Sequence, residues 1–278
     1  MFRSLLYVPA SSERFVARAH ERGADAIILD LEDSVLPADK DAARDMLAGS
    51  VPRVAQGGAE VFVRINAEPE RMLADAEAAA RVGAFGLYVP KARSPRTFID
   101  LERHLAPVEA AIGREPLRFV ALIEDAAGVL DARLIAQAPR VIGLTAGSED
   151  LALSMGARPD PEVLRLPKLL VHYAAKAEGL LSFGLLRSIA DYGDHDAVAA
   201  AAREASAFGF DGASCVHPGL VPILNSGFSP SPEEIAWARK VLAGAGVAGS
   251  FAVDGSMADA PVVERARQIL NCTPRSGR

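Results

Sequence analysis

Short, nearly continuous apolar runs alternate along the chain with amphipathic segments, and this alternation limits the possible folds more than any other feature. The runs cover 4–8, 26–31, 61–66, 86–89, 119–123, 141–144, 180–185 and 212–216. A stretch that is apolar at every position, rather than at alternate ones, suits a strand buried on both faces, as in a parallel sheet covered by helices. Helical patterns are expected between the runs, at 11–23 with Ser11 as the cap, 38–47, 70–82, 95–112 with interruptions, 129–137, 167–177 and 196–208. A further helix over 233–242 closes the pattern. Eight strands alternating with helices predict a (β/α)8 barrel over 1–244. An open doubly wound sheet is the competitor. It calls for a glycine-rich phosphate turn after the first strand, and Pro9-Ala10-Ser11-Ser12 is not one.

The acids that follow these runs suggest a site. Glu124 and Asp125 follow the fifth run; Glu149 and Asp150 follow the sixth. A carboxylate at the end of a buried strand is costly unless something compensates it. Acids on adjacent parallel strands open into one crevice at the strands' C-terminal ends, where they can share a divalent cation. The alternative is that they cap the helices that follow. Glu32 and Asp33 add acid at a third exit. With oxygen donors and no histidine close in sequence, the cluster suits Mg²⁺ or Mn²⁺ better than zinc.

Other residues admit two readings. Arg64, near the exit of the third strand, shares a face with Phe62 and Asn66 by period two. Its fork suits a carboxylate or a developing enolate oxygen, or else an ion pair with Glu32 or Asp33. Arg3 on the first strand has the same ambiguity. Lys91, after the fourth strand, raises a Schiff-base alternative; Lys168 is a weaker one because it lies in a helix. His217 is a base or a loop residue, while His20, His104, His172 and His195 have no evident partners.

Composition excludes several classes. The formal net charge is −6 with mixed signs, and neither a basic tract nor an aromatic platform for nucleic acid is present. Cys215 and Cys272 do not make a disulfide scaffold, and Cys215 reads as packing material. The N-terminal apolar run is too short for a signal peptide or a membrane span, so a cytoplasmic protein is expected. Beyond the barrel, a flexible segment over 245–250, a short strand over 251–254 and a helix through Ile269 form an extension over 245–272, ahead of a frayed tail over 273–278.

Several ordered motifs carry a resemblance. Arg3-Ser4-Leu5-Leu6-Tyr7-Val8-Pro9, Leu29-Asp30-Leu31-Glu32-Asp33-Ser34-Val35, Val63-Arg64-Ile65-Asn66, Val89-Pro90-Lys91, Ile123-Glu124, Gly147 to Leu151, Val216-His217-Pro218 and Gly255-Ser256-Met257-Ala258-Asp259 recur in the order seen in the citrate lyase beta subunit family. That family, within the HpcH/HpaI aldolase group, includes CitE-like proteins and the malyl-CoA and citramalyl-CoA lyases. The resemblance spans roughly residues 2 to 270. It implies a modified barrel, Mg²⁺, carbon–carbon cleavage or formation on acyl thioesters, and homotrimers or hexamers. It further implies that Glu124 and Asp150 bind the metal, that Glu32 and Asp33 support its water shell, and that Arg64 orients the substrate. Asp259 would act as an acid–base residue in a neighbouring subunit's site, with the 245–272 extension packed on that neighbour. Coenzyme A needs basic residues at the mouth, for which Arg3, Arg14 and Lys40 are the candidates.

The chain departs from the family pattern at Asp125, where threonine is common, at Ser182 in a stretch that often carries an aspartate, and at Gly219, where glutamine is frequent. These departures bear on the acyl substrate and the thioester grip. The reading is a Mg²⁺-dependent lyase acting on a malyl-CoA-like thioester. The rivals are a citryl-thioester subunit of a citrate lyase complex, a metal-dependent aldolase on free 2-oxo acids, and a non-catalytic thioester-binding protein.

Overall fold

The computed structural model describes residues 2–187, 193–245 and 250–271. Eight parallel strands, β1 (Ser4–Pro9), β2 (Ala26–Asp30), β3 (Glu60–Arg64), β4 (Gly86–Val89), β5 (Arg118–Ile123), β6 (Val141–Ala146), β7 (Leu181–Phe183) and β8 (Ala213–Cys215), pair in the order β7-β6-β5-β4-β3-β2-β1-β8. A bridge between Phe183 and Gly212 joins the two ends, with the Gly184 N–H donating to the Gly212 carbonyl at 2.9 Å. The sheet therefore closes into the (β/α)8 barrel expected. Gly212 is required where β8 enters beside β1, because a Cβ there would lie 1.8 Å from the Phe2 carbonyl oxygen.

The apolar runs are continuous because each strand is buried on two sides. Leu5, Ala26, Ile28, Phe62, Tyr88, Val120 and Phe183 fill the barrel. Leu6, Val8, Ile27, Leu29, Val63, Leu87, Ala121 and Ile123 face the surrounding helices. The interior is rich in edge-to-face rings, Phe62 lying 5.2 Å from Phe85, 5.4 Å from Tyr88 and 5.7 Å from Phe2. Phe2 and Phe85 precede β1 and β4, so this cluster plugs the end of the barrel where the strands begin. The polar residues lie at the other end.

Helix boundaries differ from expectation where proline or capping decides them. The first helix is Glu13–Ala19 with Ser12, not Ser11, at its N-cap, and no side-chain cap bond forms. Arg96–Ile112 runs unbroken through Pro107, whose exposed position puts the lost hydrogen bond on the solvent side. Pro161 opens a helix that continues to Ala177, earlier than the expected start, and encloses Pro167. Among the described residues, no helix is long and apolar enough to cross a membrane.

After the barrel, Phe251–Val253 and Ser256–Ala258 form an antiparallel hairpin turned by Asp254 and Gly255, both with positive φ. The helix Ala260–Asn271 packs on the helix Pro232–Gly244 of its own chain, burying Ala238, Val241, Val263 and Ala266 together. Residues 246–249 of the expected flexible segment, Cys272 and the tail 273–278 lie outside the described residues.

The two-layer core gives a stability contrast. Phe62→Ala should cost about 3–5 kcal/mol in denaturant unfolding, because its ring is enclosed inside the barrel. Phe15→Ala, at a position 53% exposed, should change stability by less than about 0.5 kcal/mol. Equal costs at the two positions would contradict this packing.

Candidate metal centre and active site

The mouth is built on one buried arginine. Strand register sets Arg64 on β3 directly beside Asp30 on β2. Its Nε and Nη2 donate to the two Asp30 oxygens at 2.7 Å each, a bidentate pair. Its Nη1 lies 2.9 Å from Glu32 and 3.0 Å from Asp33, and its guanidinium sits over the Tyr7 ring at 5.0 Å. Burial alone would raise the Asp30 carboxyl, but Arg64 outweighs it and holds the acid below its usual range. Asp30 also accepts the N–H groups of Glu32 and Ser34, which shapes the turn that carries the next two acids. Burial pushes the Tyr7 phenol up, against the pull of Arg64.

Glu32 is the under-satisfied member of this cluster. Its oxygens lie 2.9 Å from Arg64 Nη1 and 2.9 Å from Lys91 Nζ, yet neither contact has hydrogen-bond geometry. The residue is buried, and burial raises its carboxyl despite Arg64 and Lys91. The contact with Glu32 raises the Lys91 ammonium in turn. A lysine held protonated in this way is the opposite of a Schiff-base nucleophile, which needs a lowered pKa. Lys91 has a second task through its backbone. With φ of 52°, a left-handed conformation unusual for lysine, it aims its N–H at Glu124 Oε2, 2.7 Å away.

The fifth strand separates Glu124 from Asp125. Val120 faces the barrel interior, whereas Ala121 and Ile123 face the helices, so alternation carried through Leu122 turns Glu124 inward. Asp125 turns away, accepts the Gly128 N–H at 2.7 Å as the cap of the helix Ala126–Leu130, and pairs with Arg93. The Asp125 departure thus belongs to a helix cap rather than to the cation cluster. Glu124 is pushed up to about 7, first by burial and further by Glu32 and Asp150, with the Lys91 amide opposing. Asp150 is exposed in the first turn of the helix Ser148–Ser154. Gly147 precedes it at the closest approach, since a Cβ there would meet Glu124 Cγ at 2.9 Å.

Among the described residues, no three histidine, cysteine, aspartate or glutamate side chains stand together as a preformed metal cage. The donor set still fits a hard divalent cation. Glu124 and Asp150 offer oxygen ligands at neighbouring exits, and Glu32 stands by with both oxygens short of hydrogen bonds. A site with few protein ligands suits Mg²⁺, which keeps several of its waters.

Two candidate coenzyme-binding residues lie elsewhere. Arg3 precedes β1 at the plugged end, paired with Asp25 at 2.8 Å and bonded to Ser229, so the length of β1, about 20 Å, separates it from the mouth. Lys40 is buried and spends its three protons on the carbonyls of Leu31 and Glu32 and on Asn66 Oδ1 at 2.6 Å. It fastens the β2 exit and has no donor left for a phosphate. Arg14 is exposed in the first turn of the helix that follows β1, at the mouth end. Asn66 also leaves its expected face, because β3 ends at Arg64; its amides donate to Asp75 at 2.9 and 2.7 Å.

The remaining residues find structural partners. Lys168, pushed down to about 8 by burial, donates to the carbonyls of Leu185 and Arg187. His172 stacks on Phe210 at 4.3 Å and meets the Ser182 hydroxyl at 2.9 Å, which gives partners to a histidine for which none was expected and a role to Ser182. Gly219 donates its N–H to His217 Nδ1 at 3.2 Å in the turn Pro218–Leu220. Cys215 is buried and pushed up to about 12, as packing material should be. Asp259 is not part of the mouth cluster; it precedes the helix Ala260–Asn271, whose Val263 N–H bonds to its carbonyl at 2.9 Å.

Sequence reasoning passed over Asp30 and Tyr7 as functional residues. Both could have been found by carrying strand alternation to the exits, since Ile28 and Leu5 face inward and so do the residues two further on.

Comparison with known proteins identifies the family. The model of the HpcH/HpaI aldolase/citrate lyase family matches residues 3–218. The citrate lyase subunit beta of Escherichia coli (strain K12) is 32% identical over 99% of this chain and 94% of its own length. A (3S)-malyl-CoA thioesterase of Cereibacter sphaeroides is 35% identical over 97% of this chain and 93% of its own length. The crystal structure of CitE from Mycobacterium tuberculosis in complex with magnesium, acetoacetate and coenzyme A superposes with a TM-score of 0.76 at 32% identity, covering 96% of each chain. With its barrel, its acidic mouth and these relatives over nearly its full length, the chain belongs to the HpcH/HpaI aldolase/citrate lyase family and is a carbon–carbon lyase of the citrate lyase beta type.

Proposed function

We propose that the protein is a Mg²⁺-dependent lyase that cleaves, or in reverse forms, a 3-hydroxy-dicarboxylic acyl thioester such as malyl-CoA or citramalyl-CoA. The observation that carries this reading is the juxtaposition of Arg64, anchored by Asp30, with the inward Glu124 and the neighbouring Asp150. Glu124 and Asp150 would hold the metal, while Glu32 and Asp33 would orient its waters. Bound Mg²⁺ supplies Lewis-acid polarisation of the substrate's hydroxyl and carboxylate oxygens.

The chain's residues account for the rest of the step. The 3-hydroxyl gives its proton to a water at the acidic mouth, the C2–C3 bond breaks, and its electron pair passes into the thioester as an enolate while a 2-oxo acid carbonyl forms. Arg64 Nη1, which Asp30 does not hold and which pairs with Asp33 and Glu32, would turn to a developing oxyanion and stabilise it. Asp259 would protonate the enolate carbon, completing the acyl-CoA product, and in condensation would remove the same proton. As the family resemblance implies, we assign Asp259 to the site of a neighbouring copy in a homotrimer or hexamer; it follows the hairpin that leaves Met257 73% exposed. Arg14 is the remaining candidate for the phosphates of coenzyme A. The malyl-CoA thioesterase relative favours a second reading, hydrolysis of the thioester, which would release free thiol and the hydroxy diacid instead of acyl-CoA and a 2-oxo acid.

Acetyl-CoA release from malyl- and citramalyl-type thioesters should require Mg²⁺, stop with EDTA and be lost in Asp150→Ala. Arg64→Lys should lower kcat by about 10²–10³, the usual effect of removing an oxyanion donor. Free thiol without a 2-oxo acid would favour the hydrolase, and no turnover of any thioester would overturn both readings. Asp259→Asn and Glu124→Ala, each inactive alone, should regain part of the activity when unfolded and refolded together, because mixed assemblies contain some sites with both wild-type residues. Failure to complement, with mixed assemblies demonstrated by mass, would place Asp259 outside the neighbouring site.

Mg²⁺ affinity should depend on pH. Glu124 is pushed up to about 7, so the proton competes with the cation below that value and binding tightens as pH rises through it. Calorimetric titrations at several pH values check this, and a constant affinity between about pH 6 and 8 would count against Glu124 as a ligand.

A further inference from the structure

The exits of β2 and β3 are tied together behind the mouth by a chain of buried polar groups that the reaction itself does not use. It starts at Lys40, the first residue of the helix Lys40–Asp45. Lys40 Nζ donates to the carbonyls of Leu31 and Glu32 at 3.0 and 2.9 Å and to Asn66 Oδ1 at 2.6 Å. Asn66 is fully buried and gives both its backbone and its side-chain N–H to one oxygen of Asp75, itself fully buried. The other Asp75 oxygen accepts Arg44 Nε at 2.6 Å, and Arg44 Nη2 reaches Asp41 at the surface, 2.9 Å away.

The bonds of Lys40 are unusual for a buried lysine. All three run to neutral oxygens, and the carboxylate of Asp75 stands beyond the Asn66 amide. Stability alone does not call for a charge here, since an apolar side chain of similar volume commonly serves as well. What the ammonium supplies is geometry. Successive carbonyls of a strand turn to opposite neighbours, so one ammonium that gathers those of Leu31 and Glu32 ends β2 and turns the chain. That turn brings Glu32 to 2.9 Å and Asp33 to 3.0 Å from Arg64 Nη1. Asn66 lies two residues beyond Arg64, so the same ammonium sets the two acids against the arginine of the adjacent strand.

We propose that Lys40 is a positioning residue of the mouth, locked by Asn66, Asp75 and Arg44, and that it holds Glu32 and Asp33 where they orient the waters of a divalent cation. Its three donors are spent, so it acts on the cation only through the two acids. This role rests on the metal placement given above and is the same whichever thioester is the substrate. Groups that hold the surroundings of a metal in place change its affinity by about 10–100-fold when they are lost.

Calorimetric titration of the metal-free full chain with Mg²⁺ reads the effect without turnover. Lys40→Met, which keeps most of the side chain's length and removes its charge, should weaken Mg²⁺ binding about tenfold. Arg44→Gln, at the partly exposed end of the same chain of bonds, should weaken it about threefold. In a Glu32→Gln, Asp33→Asn background both losses should shrink below about twofold, because the acids through which Lys40 acts are gone. Circular dichroism and the thermal midpoint establish that each variant is folded, and where Lys40→Met is not, Arg44→Gln decides. Unchanged affinity in the folded variants, or a loss of the same size in the doubly substituted background, would overturn the positioning role and leave Lys40 a packing residue. A parent chain that binds no Mg²⁺ would overturn the metal placement itself, and this role with it.

Discussion

The site depends on the bidentate pair between Arg64 and Asp30. Two strands in register place a guanidinium and a carboxylate side by side inside the barrel mouth, each with little access to water. Such a pair adds little net stability, because removing both charges from water costs nearly as much as their attraction returns. What it provides is direction. With Nε and Nη2 held by Asp30 and the ring of Tyr7 beneath, the guanidinium plane is set and Nη1 is left to face Glu32, Asp33 and the open mouth.

Around that pair the charges do not balance. Asp30, Glu32, Asp33, Glu124 and Asp150 face Arg64 and Lys91. The surplus is recorded in the raised carboxyls of Glu32 and Glu124, which burial and mutual repulsion bias towards their protonated forms. An assembly of oxygens that repel one another in a low-dielectric mouth favours a divalent cation, which relieves the repulsion. The barrel also explains why this happens at one end only. Phe2, Phe62, Phe85 and Phe183 pack the other end with rings.

Legibility followed the range of the interactions. The eight strands and most helices were readable because continuous apolar runs and helical periodicity are local signals. Individual exits were harder. Glu124 and Asp125 are adjacent and chemically alike, and only knowledge of which face Val120 and Ile123 take assigns one to the mouth and the other to a helix cap. Lys40 was a candidate for coenzyme A, and Arg3 was a candidate for either coenzyme A or an ion pair. One is consumed by the β2 exit and Asn66, and the other by Asp25 at the far end of the barrel. Such partners are distant in sequence or depend on a turn, and periodicity does not report them.

By itself the sequence determined the barrel, the acidic character of its mouth and the family, since these follow from local patterning and ordered motifs. Tertiary structure alone decided which oxygens meet. The cross-strand register set Asp30 against Arg64, the left-handed backbone at Lys91 turned an amide onto Glu124, and the absence of a side chain at Gly147 let β6 pass close to that carboxylate. Each is a contact between segments far apart in the chain, fixed by barrel closure and by the packing that permits it.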